Sequence, residues 1–286
     1  MKIDVSVIMT PAHGKIISED AFRVSQKSTV PFFVTVVDGH GPGHLLNAET
    51  SGFSQFVADQ LSKLFQQKKN ANAFDDIFDC VQKQVSVMYG DLPFGAVASC
   101  LCIQPDSLTI AQAGDCRLYR FDVEEECGNT LLTQDHCVEN AKEMIRLRPF
   151  YQTGQFAPIG NGYDDWMSAF PEERLHYKTK EGNWSTSSLE PTRGFGDPEF
   201  HPAFTHVPEI RSVAFDATQE VLYGFCSDGG AKILQEVFKY TRWNGGCRDE
   251  GFLERVSATT KMFIPNKPED DVTIILLRIQ PNLPTS

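Results

Sequence analysis

The chain has 286 residues, 41% hydrophobic and 22% charged, enough to bury a full core as one large domain or two small ones. A formal net charge of −12 excludes the basic surface that nucleic acid requires. No apolar run nears the roughly 18 residues that span a bilayer. The start, MKIDVSVIMT, is interrupted by Asp4 and reads as a strand, not a signal peptide. Eight cysteines without CxxC or zinc-type spacing read as reduced, buried thiols. The expected compartment is therefore the cytoplasm or the nucleus; secretion would need a leader already removed.

In chain order, residues 2–9 and 32–37 are β-rich, and FFVTVV is the continuous apolar run of a strand buried on both faces. Helical spacing follows at 44–66, with Phe53, Phe56, Val57, Leu61 and Leu64 on one face. It returns at 73–89, with Phe74, Ile77, Phe78, Val81, Val85 and Met88. Both stripes read as core. Lys68-Lys69 between them reads as a solvated cap on a helix C-terminus.

Three β segments, 97–104, 107–113 and 116–121, are separated by short turns and predict antiparallel hairpins. Cys100 and Cys102 alternate along the first and share a buried face. A short helix at 138–147 gives way to 148–192, a stretch without clear periodicity. It is rich in aromatics: Tyr151, Phe156, Tyr163, Trp166, Phe170, Tyr177 and Trp184. Such a segment is a local aromatic mini-core or a substrate or partner contact. Strands are predicted again at 209–215 and 220–227, helices at 230–240 and 248–260, and a last strand at 271–279. Hairpins mixed with paired helices argue for an α+β layered fold, not alternating βαβ. The glycine patterns of dinucleotide sites, P-loops and serine hydrolases do not occur.

Chemistry concentrates in acids at strand ends and turns. Asp38-Gly39-His40-Gly41 follows the apolar strand directly, which aims Asp38 into a cleft mouth; glycine beside it permits close backbone approach. Alone, it reads equally as a glycine-rich turn capped by Asp. Glu19-Asp20, Gly114-Asp115, Ser227-Asp228-Gly229 and Glu269-Asp270-Asp271 have the same character, each a common turn when taken singly. Together they form a set of carboxylates with few balancing cations, which repel one another until a divalent cation relieves them. An all-oxygen set favours Mg²⁺ or Mn²⁺ over zinc.

The order of these motifs, with Gly114-Asp115-Cys116-Arg117, Thr133-Gln134-Asp135-His136 and Gly194-Phe195-Gly196-Asp197 between them, resembles the metal-dependent (type 2C, PPM) protein serine/threonine phosphatases. The likeness covers about residues 5–279, and VVDGHG and AQAGDCRLYRF are its most specific strings. It implies a four-layer α-β-β-α sandwich, two central antiparallel sheets flanked by helix pairs. It also implies one domain over 1–286, with an enlarged flap at 148–192. Two divalent cations are implied: Asp38 bridges both, Asp228 and Asp270 complete one site, and Glu19 and the Gly39 carbonyl serve the other. Asp20 acts through water, Asp115 helps hold a weaker third ion, and His40 is the general acid. Water activated by two metals attacks the phosphorus in line, and the leaving alkoxide needs a proton. The expected partners are phosphoprotein substrates, with no nucleic acid and no membrane span, and the protein is expected to be a monomer.

Three departures touch the phosphate grip. Lys15 stands where the family has a phosphate-binding Arg, keeping charge but losing the bidentate fork. The Ser/Thr-rich turn is PFGAVAS, and the family's Asp-Asn is Asp270-Asp271. Arg193 reads as a structural ion pair. Two other readings compete: a pseudophosphatase acting as a binding or scaffold module, and a metal-dependent hydrolase of small phosphoesters.

Overall fold

A computed structural model describes residues 1–26, 30–41, 47–122, 128–159, 174–214, 219–240 and 251–280. The apolar run beginning at Phe32 forms β3 (Phe32–His40), and its two faces enter different cores. Phe33 and Val37 point one way, Phe32, Val34 and Val36 the other, the period of two that a strand imposes. At about 1.5–3 kcal/mol per fully buried side chain, this strand alone contributes heavily to stability.

Two antiparallel sheets stack face to face. One runs β1 (Lys2–Thr10), β13 (Val272–Gln280), β12 (Val221–Cys226), β6 (Arg117–Asp122), β7 (Gly128–Leu131). The other runs β11 (Glu209–Ala214), β5 (Ser107–Ala113), β4 (Gly95–Ile103), β3, β2 (Ala21–Val24), with β10 (Phe195–Gly196) paired to β4. Leu101, Ile110, Leu118, Phe225 and Ile275 fill the space between the sheets. Helices α1 (Asn47–Lys68) and α2 (Phe74–Tyr89) cover the second sheet with Phe53, Val57, Leu61, Ile77 and Phe78. Cys100 and Cys102 meet that same layer. Helices α4 (Asp228–Tyr240) and α5 (Phe252–Phe263) cover the first sheet with Leu234 and Val256. Three apolar layers thus hold four layers of structure, the expected α-β-β-α sandwich. No helix among the described residues is long and apolar enough to cross a membrane.

The expected helix at 138–147 is α3 (Ala141–Gln152), which continues past Pro149. Asn140 caps it, accepting a hydrogen bond from the Lys142 N–H at 2.9 Å. Within 148–192 the structure adds a hairpin, β8 (Phe156–Ile159) with β9 (Arg174–Tyr177). Phe156 and Leu175 join Leu147, Leu189 and Phe204 in a small core of their own, with Tyr151 and Tyr177 against it. Tyr163, Trp166 and Phe170 lie outside the described residues. The strands absent from the sequence reading, β2, β7, β8, β9 and β10, are two to four residues long, too short to show a period.

Strand registers place the site. His40 lies opposite Gly95, Ala113 opposite Ala98, Cys226 opposite both Arg117 and Ile274, and Thr10 opposite Val272. The ends of β1, β3, β5 and β12 and the starts of β4, β6 and β13 therefore share one rim. Asp115, Asp228 and Asp270 follow or precede these strands, Asp38 lies near the end of β3, and Glu19 and Asp20 lead into β2, whose Ala21 is opposite Val37.

Candidate active site

The rim encloses a cleft of about 550 Å³ lined by Lys15, Glu19, Asp38, Gly39, His40, Asp115, Asp228 and Asp270. Of the residues expected at the site, Asp20 alone lies beneath it, fully buried. Burial drives the Asp38 carboxyl well above its usual range, and the charges of Asp20, Asp228, Asp115 and Asp270 push it further. Burial and then Asp228, Asp135 and Glu190 push Asp115 up to about 8. Asp270 is raised by burial and by Asp228. Asp20 is pushed to about 7 by burial, with Asp271 adding to the rise and the nearby Thr273 and Ser227 hydroxyls opposing it. Those hydroxyls lie near without completing a bond: both Asp20 carboxylate oxygens are buried with no hydrogen-bond partner.

These residues fit hard divalent cations. The donors are all oxygen, and Asp20 holds two orphaned acceptors where a buried polar group ordinarily finds a partner. The Gly39 backbone passes so close to Ser54 Oγ and the Glu19 carbonyl that a side chain there would overlap both. Glycine at 39 is thus demanded by packing as well as by the site. Among the described residues no three acidic, histidine or cysteine side chains close into a ready-made cage.

Lys15 is bound on two sides. Its Nζ donates to Glu19 Oε2 at 2.6 Å and to Asp271 Oδ2 at 3.0 Å. Burial opposes the ammonium charge, the two carboxylates outweigh it, and its pKa rises. Asp271, 3% exposed, also accepts from the Ala12 N–H at 2.6 Å and the Glu19 N–H at 2.8 Å. Two of the three departures from the family pattern, Lys15 and Asp271, are therefore ion-pair partners.

The Thr133–His136 motif, to which the sequence assigned no role, cradles the turn bearing Asp115. Thr133 Oγ1 accepts from the Leu118 N–H at 3.1 Å, and Asp135 accepts from Arg117 Nε at 3.0 Å. Burial, with the Arg193 charge, lowers His136 to about 4, so its ring is neutral and Nδ1 accepts the Gly114 N–H at 3.1 Å. His40 Nε2 lies 2.7 Å from Asp197 Oδ2. Burial works against a charged His40 ring, Asp197 outweighs it, and the pKa ends above its ordinary value. Arg193 donates to buried Glu143 at 2.6 Å, the structural pair expected of it. Arg174, on β9, also lines the cleft, 3.4 Å from Glu190. It belongs to no motif, and only the hairpin fold carries it there.

A family model, protein phosphatase 2C, matches residues 9–228. The chain belongs to the protein phosphatase 2C family and is by family a protein serine/threonine phosphatase. Among solved structures, a serine-threonine phosphatase 2C from Toxoplasma gondii superposes with a TM-score of 0.64 at 15% identity, over 98% of this chain and 95% of that one. A C. elegans sex determining protein gives 0.63 at 15% identity over 98% of this chain, which spans 66% of that protein's chain. The catalytic domain of the phosphatase PstP, in complex with two manganese ions, gives 0.54 at 15% identity, over 98% and 99%. Among curated proteins, no sequence match to the chain is found.

Proposed function

We propose that this protein hydrolyses phosphoserine and phosphothreonine monoesters of proteins with two divalent cations, Mg²⁺ or Mn²⁺. Residues 1–286 act as one phosphatase domain, a monomer with an enlarged flap at 148–192, from which Arg174 and residues 187–191 line the cleft. The observation that carries the reading is the rim of carboxylates, among which burial and neighbouring acids raise Asp38, Asp115 and Asp270, above an Asp20 with two unsatisfied oxygens. Asp38, Asp228 and Asp270 would hold one ion, and Asp38, Glu19 and the Gly39 carbonyl the other, with Asp20 acting through water and Asp115 helping to hold a weaker third ion. Cations bound there lower the pKa of water enough to supply hydroxide near neutrality. Lys15 meets the non-bridging phosphate oxygens from its place between Glu19 and Asp271. His40 protonates the departing alkoxide, which is too basic to leave unaided.

Phosphate release from a phosphothreonine peptide tests the reading. Turnover should vanish in EDTA and return with Mn²⁺. Mn²⁺ binding without turnover would instead make the protein a pseudophosphatase module. Preference for nucleotides or aryl phosphates over the peptide would make it a small-phosphoester hydrolase.

A further inference from the structure

Three strands meet at the edge of the cleft in an unusual way. Gly95 on β4 lies opposite His40 on β3, and on its other side opposite Gly196 on β10. Asp197 follows directly. Because residue 95 has no side chain, the imidazole and the carboxylate meet over it; a Cβ there would overlap both His40 Nε2 and Asp197 Oδ2. Asp197 itself is fixed: it is 4% exposed, its backbone is left-handed at φ 49°, and its N–H donates to the Phe94 carbonyl at 2.9 Å. Its own carbonyl accepts from the Phe200 N–H at 3.0 Å. Among the described residues, Nε2 is the His40 ring nitrogen with a protein partner, at 2.7 Å.

An ionised carboxylate only accepts hydrogen bonds, so the nitrogen it faces keeps its proton whether the ring is neutral or charged. From this we infer that Asp197 is the positioning residue for His40, holding Nε2–H and leaving Nδ1 as the nitrogen that exchanges a proton with the leaving group. The inference rests on the acid role given to His40 above. In that step the P–O bond breaks and the departing oxygen takes its electron pair and the Nδ1 proton. The ring is left neutral with hydrogen on Nε2, and solvent later returns a proton to Nδ1.

Asp197→Asn is the direct test, since asparagine tolerates the left-handed backbone while its amide can donate to Nε2 and release the tautomer. In the Mn²⁺-loaded protein, kcat on a phosphothreonine peptide should fall about 10²-fold, and kcat on an aryl phosphate, whose leaving group needs little protonation, by no more than about threefold. In a His40→Ala background the same change should add nothing. Gly95→Ala, which keeps both side chains but drives them apart, should show the same selective loss. Histidine ¹⁵N spectra at a pH where the ring is neutral should show Nε2–H in the parent and a shift towards Nδ1–H in Asp197→Asn.

Equal losses on both substrates, a further loss in the His40→Ala background, or an unchanged His40 spectrum would each overturn the inference. If His40→Ala separates the two substrates and Asp197→Asn does not, the positioning role fails and the acid role stands. If His40→Ala fails to separate them, the acid role falls, and the spectrum alone decides whether Asp197 sets the tautomer.

Discussion

Asp20 and Glu143 are both fully buried carboxylates, yet burial leads them in opposite directions. Asp20 is pushed up to about 7 by burial, and the nearby Asp271 charge adds to the rise. Glu143 feels the same burial, but hydrogen bonds from Arg193 and Arg146 outweigh it and hold it at about 2. One region is a set of acids that outnumber the cations beside them; the other brings its cations with it. Burial therefore does not distinguish a site from a structural pair, and the sign of the neighbours does.

The sharpest way to break this contrast is to remove acids from the rim. Asp38→Ala and Asp228→Ala should each lose nearly all phosphatase turnover, as EDTA does to the parent, and Mn²⁺ should rescue only the parent. In EDTA the same variants should unfold at higher urea, gaining about 0.5–2 kcal/mol from relieved repulsion. Near-normal kcat in either would mean that the ligands lie elsewhere.

Glu143→Gln breaks the other region. It leaves Arg193 and Arg146 facing a neutral amide, and stability should drop by about 3–5 kcal/mol, towards the lower end because both guanidiniums are partly exposed. Mn²⁺ affinity should not change. A variant as stable as the parent would make the pair incidental.

The two regions should also show opposite pH slopes in the metal-free protein. Folded Asp20 and Asp115 keep protons up to about 7 and 8, whereas their unfolded value is near 3.8. The folded state then binds more protons, so their contribution falls as pH rises from about 4 to 8. Glu143, depressed from 4.5 to about 2, contributes fully above 4.5 and loses its contribution as pH falls to 2. Thermal midpoints in EDTA should thus decline on both sides of a maximum between these ranges. Saturating Mn²⁺ should flatten the alkaline decline; a decline of equal depth with and without Mn²⁺ would contradict the cluster's role.

Lys15 belongs to both regions, a cation inside the acid rim, and its effect should be the smallest. Lys15→Ala should raise KM and lower stability by about 1–3 kcal/mol, since Asp271 keeps only its two backbone donors. Lys15→Arg should retain most activity if the longer fork fits between Glu19 and Asp271. If alanine changes stability but not KM, Lys15 is a counter-ion to Asp271, and Arg174 becomes the cation to test next.

Much of this was legible from residue order. The continuous apolar run FFVTVV and the 3.6-residue period of the first two helices reflect forces acting within one element, and the structure keeps these elements within a few residues. Acids at strand ends were readable for a related reason: a strand fixes the direction of the residue that leaves it. Where no period exists, as in the hairpin of β8 and β9, the reading stopped.

The sequence by itself determined which side chains could serve chemistry: oxygen donors for hard cations, one imidazole, and a family pattern with a lysine in place of an arginine. Tertiary structure decided which of them meet. Lys15 finds Asp271 across 256 positions, and His40 finds Asp197 across 157, over a glycine whose importance is the side chain it lacks. Such pairs depend on strand register and on the space left between neighbours, and both are set only when the sheets close on one another.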